Sequence, residues 1–340
     1  MVHANTAYGS SMTRRTVLGA LAGLALAAAI SPASAARGPA SGAPLKVVAS
    51  FSILGDMVRE IGGENVALTT LVGANGDVHS FEPSPQDAKA LSQAEVLVLN
   101  GLDFEGWLPR LVQSSGFKGR QILASKGIAV RRLSADEVAG GDSHGRDRDG
   151  HDHDDPGHGH HHAVGDVDPH AWQDLRNGKI YAQNIADGLA QADPPRGGYY
   201  KMRAKLYIDK MSKLDAEIRS ALADIPANRR VVITSHDAFG YFAQAYGIRF
   251  IAVAGLSSEA EPSASELAAI VDRARKEHVA GVFIESGTNS RLVKQLARET
   301  GIKMGGTLYS DALAPADAPA ASYLGMFSWN AGRLIYVLTR

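Results

Sequence analysis

The sequence predicts an α/β protein of two mostly parallel-sheet lobes joined by one long rigid helix, with a binding cleft between the lobes. Three observations lead there. Eight short apolar runs are separated by amphipathic or polar stretches, the runs are continuously apolar rather than alternating, and one apolar helical stripe is sustained across the middle of the chain.

The chain opens with Arg14-Arg15 in "TRRTVLGA", followed by an almost uncharged run from Val17 to Ile30 and the small residues "ASA" at Ala33 to Ala35. Residues 1–35 read as a cleavable signal peptide, of twin-arginine type or handled by the Sec route, because the apolar stretch is short for a membrane span and ends at a small-residue cleavage site. Export to the periplasm is the expectation. The 340 residues contain no cysteine, which excludes disulfides and thiolate metal sites and leads to the expectation of a protein that is not lipid-anchored. A formal net charge of −1 offers no polybasic surface for nucleic acid or anionic membrane.

The N-terminal lobe is expected over 45–190. "LKVVASFSI" (Leu45 to Ile53), "VALTTLV" (Val66 to Val72), "EVLVLNG" (Glu95 to Gly101) and "RQILAS" (Arg120 to Ser125) read as strands buried on both faces. The C-terminal lobe, 227–340, repeats the pattern with "RVVITSH" (Arg230 to His236), "RFIAVAG" (Arg249 to Gly255), "GVFIESG" (Gly281 to Gly287) and "KMGGTLYSD" (Lys303 to Asp311). Between them, over 196–226, Tyr200, Ala204, Tyr207, Met211, Leu214, Ile218, Ala221 and Ile225 recur at intervals of four and three. That spacing makes one stripe along a helix of about 39 Å, docked along both lobes or, less simply, serving as a coiled-coil seam.

One segment cannot bury a face. Residues 140–162 hold six Asp and seven His with no aliphatic or aromatic side chain, and they read as a disordered insertion within the N-terminal lobe. Its histidines, His144, His151, His153, His158, His160, His161 and His162, form a candidate accessory site that collects metal weakly; a purely solubilising loop is the plainer alternative.

Outside the insertion, three histidines and one aspartate stand at strand ends or in adjoining loops: His79 in "GANGDVHSFEPSP", His170 in "DVDPHAW", His236 in "VVITSH" and Asp311 in "TLYSD". Ligand-binding groups of open α/β sheets gather at the carboxyl ends of strands, so a cleft between the lobes would collect two from each. Three imidazoles and a carboxylate suit zinc and suit calcium or magnesium poorly. Taken singly, each histidine has a structural alternative as a hydrogen-bonded strand-end residue, and the aspartate as a turn cap. Asp77, Glu82, Asp168, Asp237 and Glu285 are candidates to orient the imidazoles or balance charge, with turn capping or an interdomain salt bridge as the alternative for each. His278, in "RKEHVAG", reads as a solvated surface residue.

In order along the chain, "HSFEPSP", "DPHAW", "SHDAFGYFAQAYGI", "GLSSEAEPSASEL", "LYSDAL" and "SYLGMFSWNAGRLIYVL" resemble the zinc/manganese substrate-binding proteins of bacterial ABC importers, the TroA-like periplasmic metal-binding family. The resemblance spans essentially the whole mature chain. It implies two α/β lobes joined by a backbone helix, one metal between them, and ligands at His79, His170, His236 and Asp311. It also implies a membrane permease with its cytoplasmic ATPase as partners, and a monomer with no enzymatic activity. Manganese-preferring members commonly carry glutamate where this chain has His236, so Zn²⁺ is expected over Mn²⁺ as the transported ligand. In "DPHAWQDLRN" the chain has Leu175 where members often have proline, beyond the ligand.

Three other readings stay open. A zinc hydrolase needs an open water position and a base, and no H-E-x-x-H pair appears. A zinc buffer or chaperone would work through the His-rich loop and pass metal to, or receive it from, a periplasmic zinc chaperone. A manganese receptor shares the fold and differs in the ion.

Overall fold

The computed structural model describes residues 42–134, 165–256 and 263–340. The signal-peptide segment and the seven loop histidines, His144 through His162, lie outside the described residues.

Among the described residues, eight strands form two four-stranded sheets, all of whose pairings are parallel. In the first half the elements are β1 (Leu45–Phe51), α1 (Ser52–Gly62), β2 (Val66–Val72), α2 (Pro85–Ser92), β3 (Val96–Leu99), α3 (Leu108–Ser115) and β4 (Arg120–Leu123). Two long helices follow, α4 (Leu175–Ala192) and α5 (Gly197–Ala223). The second half contains β5 (Val231–Thr234), α6 (Gly240–Tyr246), β6 (Arg249–Ala252), α7 (Ala264–Lys276), β7 (Gly281–Glu285), α8 (Arg291–Thr300), β8 (Met304–Leu308) and the closing α9 (Tyr323–Leu338).

The strand orders are β2-β1-β3-β4 and β6-β5-β7-β8, the same winding twice. Each sheet therefore has a point, between its first and third strands in chain order, where the crossovers leave in opposite directions and a crevice opens at the strand ends. All eight expected strands are present, most of them shorter than the apolar runs. At the end of β5 the chain turns to a side-chain partner: the His236 amide donates to Glu285 Oε1 at 3.0 Å instead of extending the strand.

The runs are continuously apolar because each sheet is covered on both faces. Val47, Ala49 and Phe51 of β1 belong to the large core, whereas Val48 packs with Leu71, Leu91, Leu97, Leu108 and Leu111 on the other side. The large core does not stop at the lobe boundary. It runs from β1 and α1 through Trp172, Tyr181 and Tyr200 to Phe239, Phe242, Tyr323 and Phe327. Two lobes sharing one apolar core have no greased hinge between them.

Helix α5 docks on both. Arg203 Nε donates to the Glu60 carbonyl of α1 at 2.7 Å, and Tyr246 of α6 donates to Asp215 Oδ1 at 2.9 Å. Tyr200, Ala204, Tyr207, Met211 and Ile218 are buried as the stripe requires, but Ala221 is exposed and Leu222 is buried in its place. A strict four-three spacing drifts about 20° per heptad relative to a straight helix, so by the last turn the buried face has moved on by one residue.

Helix α4 was not among the sequence expectations. Its glycines lower helix propensity yet permit close packing: a Cβ on Gly188 would strike the Ile122 side chain, and one on Gly178 would strike Tyr323. Leu175, where proline is common in the resembling family, is the first helical residue and fully buried. Proline is tolerated at that position, so the exchange leaves the helix start intact.

Candidate metal centre

Each of the four residues is carried by a different local device. His79 lies in the β2–α2 loop, its amide donating to Asp77 Oδ1 at 2.9 Å. That loop is clasped to the second lobe by Asn75, whose amide donates to the Leu313 carbonyl at 2.9 Å and whose side chain accepts from Ser286 Oγ at 2.6 Å. Asn75 has φ +55°, in the left-handed region that asparagine tolerates.

His170 follows Pro169, whose carbonyl accepts from Asn100 Nδ2 at 3.0 Å. Asp168 Oδ1 accepts from the His170 amide at 2.9 Å and lies 3.0 Å from its Nδ1. Behind it, Arg131 Nη1 meets Asp168 Oδ2 at 2.7 Å. His236 leaves β5 at the crevice of the second sheet, with its Nδ1 2.8 Å from Glu285 Oε2. Asp311 follows β8; the preceding Ser310 carbonyl accepts from Trp172 Nε1 at 2.8 Å and Gln173 Nε2 at 2.7 Å, tying the loop to the first lobe.

These devices bring the four sequence-predicted residues together, with one potential ligand atom from each lying within 4.8 Å of the others. Asp311 Oδ2 is 3.0 Å from His236 Nε2 and 3.4 Å from His79 Nε2, and Asp311 Oδ1 is 3.5 Å from His170 Nε2. A tetrahedral ion with bonds of about 2.0–2.1 Å separates its donors by about 3.3 Å, so the two separations from Asp311 Oδ2 are already ion-sized. His79 Nε2, His170 Nε2 and Asp311 Oδ1 are buried without hydrogen-bond partners. Buried polar atoms left unpaired are costly, and convergent ones mark where a cation satisfies them. His79, with 12% of its side chain exposed, is the ligand position open to solvent, while the His170 and His236 side chains are fully enclosed.

The electrostatics agree with that geometry. Burial alone would raise the Asp311 carboxyl, but the charges on His236 and His170 and the hydrogen bond from His236 hold it well below the usual carboxylate range. Burial alone would lower His236, but Glu285 and Asp311 drive it well above the usual imidazole range. Without a metal, a proton on His236 stands in for part of the cation's charge. Asp311 and Glu285 could together balance a divalent ion, since Asp168 is already matched by Arg131.

The remaining predicted carboxylates fall in different places. Asp168 and Glu285 stand directly behind imidazoles; Asp77 holds the His79 backbone. Asp237 is half-buried, pushed up to about 6 by burial and the nearby Asp168 charge. Glu82 is exposed, and so is His278. Sequence reasoning passed over Arg131, Asn75, Asn100 and Asn330. Asn330 lies on the buried face of α9 and pairs with the Tyr309 backbone at 2.9 and 2.7 Å, just before Asp311. A polar residue inside the apolar run "SWNAGRLIYVL" was its available signal.

Comparison with known proteins fits this architecture. The family described as zinc-uptake complex component A, periplasmic (ZnuA), matches residues 47–336. The metal ABC transporter substrate-binding lipoprotein FimA of Streptococcus parasanguinis is 30% identical over 306 residues, covering 88% of this chain and 91% of its own. The manganese ABC transporter substrate-binding lipoprotein PsaA of Streptococcus pneumoniae is 30% identical over 292 residues, covering 84% and 86%. Among solved structures, the periplasmic zinc binding protein TroA of Treponema pallidum superposes with a TM-score of 0.75 at 26% identity, covering 88% of this chain and all of its own. A Mn-bound periplasmic metal binding protein from Candidatus Liberibacter asiaticus gives 0.71 at 26% identity, covering 86% and 99%. These relatives correct one expectation. FimA and PsaA are named lipoproteins, which overturns the reading of a receptor without a lipid anchor. A missing cysteine speaks to one attachment chemistry in the residues at hand and is not grounds for excluding a tether.

Proposed function

Because this chain belongs to the ZnuA family, whose members are substrate-binding receptors of metal ABC importers rather than enzymes, we propose that it carries Zn²⁺ to a membrane permease driven by a cytoplasmic ATPase. The ion sits between the lobes on His79, His170, His236 and Asp311. The observation that supports this most is the convergence of potential ligand atoms from both lobes within 4.8 Å of one another, three of them buried without partners.

Zinc is preferred over manganese on the donor set. Three neutral nitrogens and one carboxylate suit a borderline ion, whereas manganese favours more oxygen and a larger coordination number. Glu285, the carboxylate that could add oxygen, is engaged behind His236 at 2.8 Å. A manganese receptor is the second reading, favoured by the name of PsaA. A buffer acting through the His-rich loop is the third.

The deciding experiment is a competitive titration with Zn²⁺ and Mn²⁺ on the mature protein, a 142–162 deletion and His236→Ala. One tight zinc site is expected to survive the deletion and to disappear with His236→Ala. Tighter manganese than zinc binding would assign the chain to manganese. Tight binding lost with the loop and indifferent to His236 would make it a buffer.

A further inference from the structure

Two ligands from opposite lobes, His170 and His236, are linked by a second contact outside the metal cluster. Asp168 precedes His170 by two residues and is fully buried, one oxygen on the His170 ring and amide, the other on Arg131. Gly240 follows His236 by four residues and begins α6. A Cβ at Gly240 would collide with the Arg131 guanidinium and stand 2.7 Å from Asp168 Oδ2. The ion pair thus rests directly on the bare Cα of the second lobe.

The pair is held from the other side as well. Arg131 and Asp168 face each other in an antiparallel stem: the Asp168 amide donates to the Arg131 carbonyl at 3.0 Å, and Arg132 bridges Val167. The Arg131 amide donates to Tyr241 Oη of α6 at 2.8 Å. Between His236 and Gly240, Ala238 and Phe239 are fully buried, so neither path has slack.

We propose that the Arg131–Asp168 pair, seated in the notch left by Gly240, is a spacer that sets His170 against His236 and thereby fits the cleft to a small four-coordinate ion. This rests on the four-ligand reading above. Arg131 and Gly240 are positioning residues: neither reaches the metal, and both act through Asp168 on the His170 imidazole. A methyl at Gly240 pushes the guanidinium off Asp168 and the lobes apart. Loss of Arg131 leaves Asp168 without its cation and the imidazole without its brace.

The test measures Zn²⁺ and Mn²⁺ affinity for Gly240→Ala, Arg131→Ala and the double variant, with metal-free thermal melting alongside. Each single variant should weaken zinc about ten-fold or more, within the range of orienting-residue losses. The zinc-to-manganese preference should fall too, because Gly240→Ala widens the cleft and Arg131→Ala frees the His170 imidazole, and either change loosens the fit to the smaller ion. If both residues act through one seat, the double variant should bind no more weakly than the worse single. A drop in melting temperature with the ion preference unchanged overturns the spacer, as do additive losses in the double variant. Arg131→Ala introduces no clash and answers the question even if Gly240→Ala folds poorly. His236→Ala runs in parallel. Tight zinc binding surviving there refutes the site itself, whereas its loss there beside wild-type behaviour in Gly240→Ala and Arg131→Ala refutes the spacer alone.

Discussion

The two lobes repeat one winding, and each places a buried glutamate at its crevice, yet the two carboxylates do different things. In the first lobe Glu105 accepts from Ser50 Oγ at 2.7 Å and from the Asn100 and Gly101 amides at 2.7 and 3.1 Å. Burial raises its pKa against those hydrogen bonds. Its acceptor capacity goes to tying β1 to the chain leaving β3. In the second lobe Glu285 takes the His236 amide on one oxygen and faces the His236 ring with the other. Its own amide donates to Ser235 Oγ at 3.2 Å. Topology decides where such a carboxylate can sit; the neighbour it faces decides whether it serves the fold or the ligand.

The largest effects should come from removing one imidazole per lobe. His170→Ala and His236→Ala are each expected to weaken zinc by about a thousand-fold or more, since a four-coordinate site cannot close with three protein ligands unless water replaces the fourth. Isothermal titration against a chelator reads both, and a loss confined to one lobe's histidine would break the picture of equal partnership. The same loss appears in stability: at free zinc 1,000 times Kd, the wild-type protein gains about 4 kcal/mol, visible as a zinc-dependent melting temperature that either variant loses.

Exchanging the glutamates sharpens the contrast. Glu285→Gln should cost zinc affinity about 10- to 100-fold, because it removes the charge behind His236. Glu105→Gln should leave zinc affinity within about two- to three-fold and instead destabilise the metal-free fold by about 1–3 kcal/mol, the cost of an imperfectly satisfied buried network. Equal effects on affinity would show that the lobes are not divided in this way.

Proton linkage follows from His236 of the second lobe. His236 is held well above the usual imidazole range in the metal-free state, so in that state it contributes stability that is fully present below its unfolded pKa and lost as pH rises through the folded one. Zinc must displace that proton. Binding near pH 7 should release about one proton, and zinc affinity should fall as pH falls. Calorimetry in buffers of different ionisation enthalpy measures the number, and Glu285→Gln should reduce it. A value of zero in the wild-type protein would contradict the raised pKa.

The smallest effect belongs to the loop that carries His79. Asn75→Gly keeps the positive φ and removes only the bond from Ser286. Zinc should then dissociate a few-fold faster with little change in melting temperature, as expected for one hydrogen bond of about 1 kcal/mol. Stopped-flow chelation resolves it, and an unchanged rate would mean that the clasp does not limit release.

Much of this was legible beforehand. The eight strands were visible because burial on both faces writes a continuous apolar run, and α5 because its stripe is long enough for period to show. The four metal candidates were visible as chemistry-bearing residues at strand ends. Helix α4 was missed although Tyr181, Ile185 and Leu189 mark its buried face at intervals of four. Its glycines lower helix propensity, and only the packing of Gly178 on Tyr323 and Gly188 on Ile122 shows what they are for. The bracing residues were illegible for a related reason. Arg131 lies 37 positions from Asp168, and Asn75 lies 211 from Ser286. No local pattern records such pairs.

By itself, then, the sequence determined the fold class, the two successive runs of strands and the kind of donor available, since periodicity and residue type are local properties. With no cysteine in the chain, a metal site had to be built from nitrogen and oxygen. Only the tertiary structure decided which glutamate stands behind an imidazole, how the continuous core denies the lobes a hinge, and how near the four ligand atoms come. Those are distances between segments far apart in the chain, and they follow from packing rather than from any residue's neighbours.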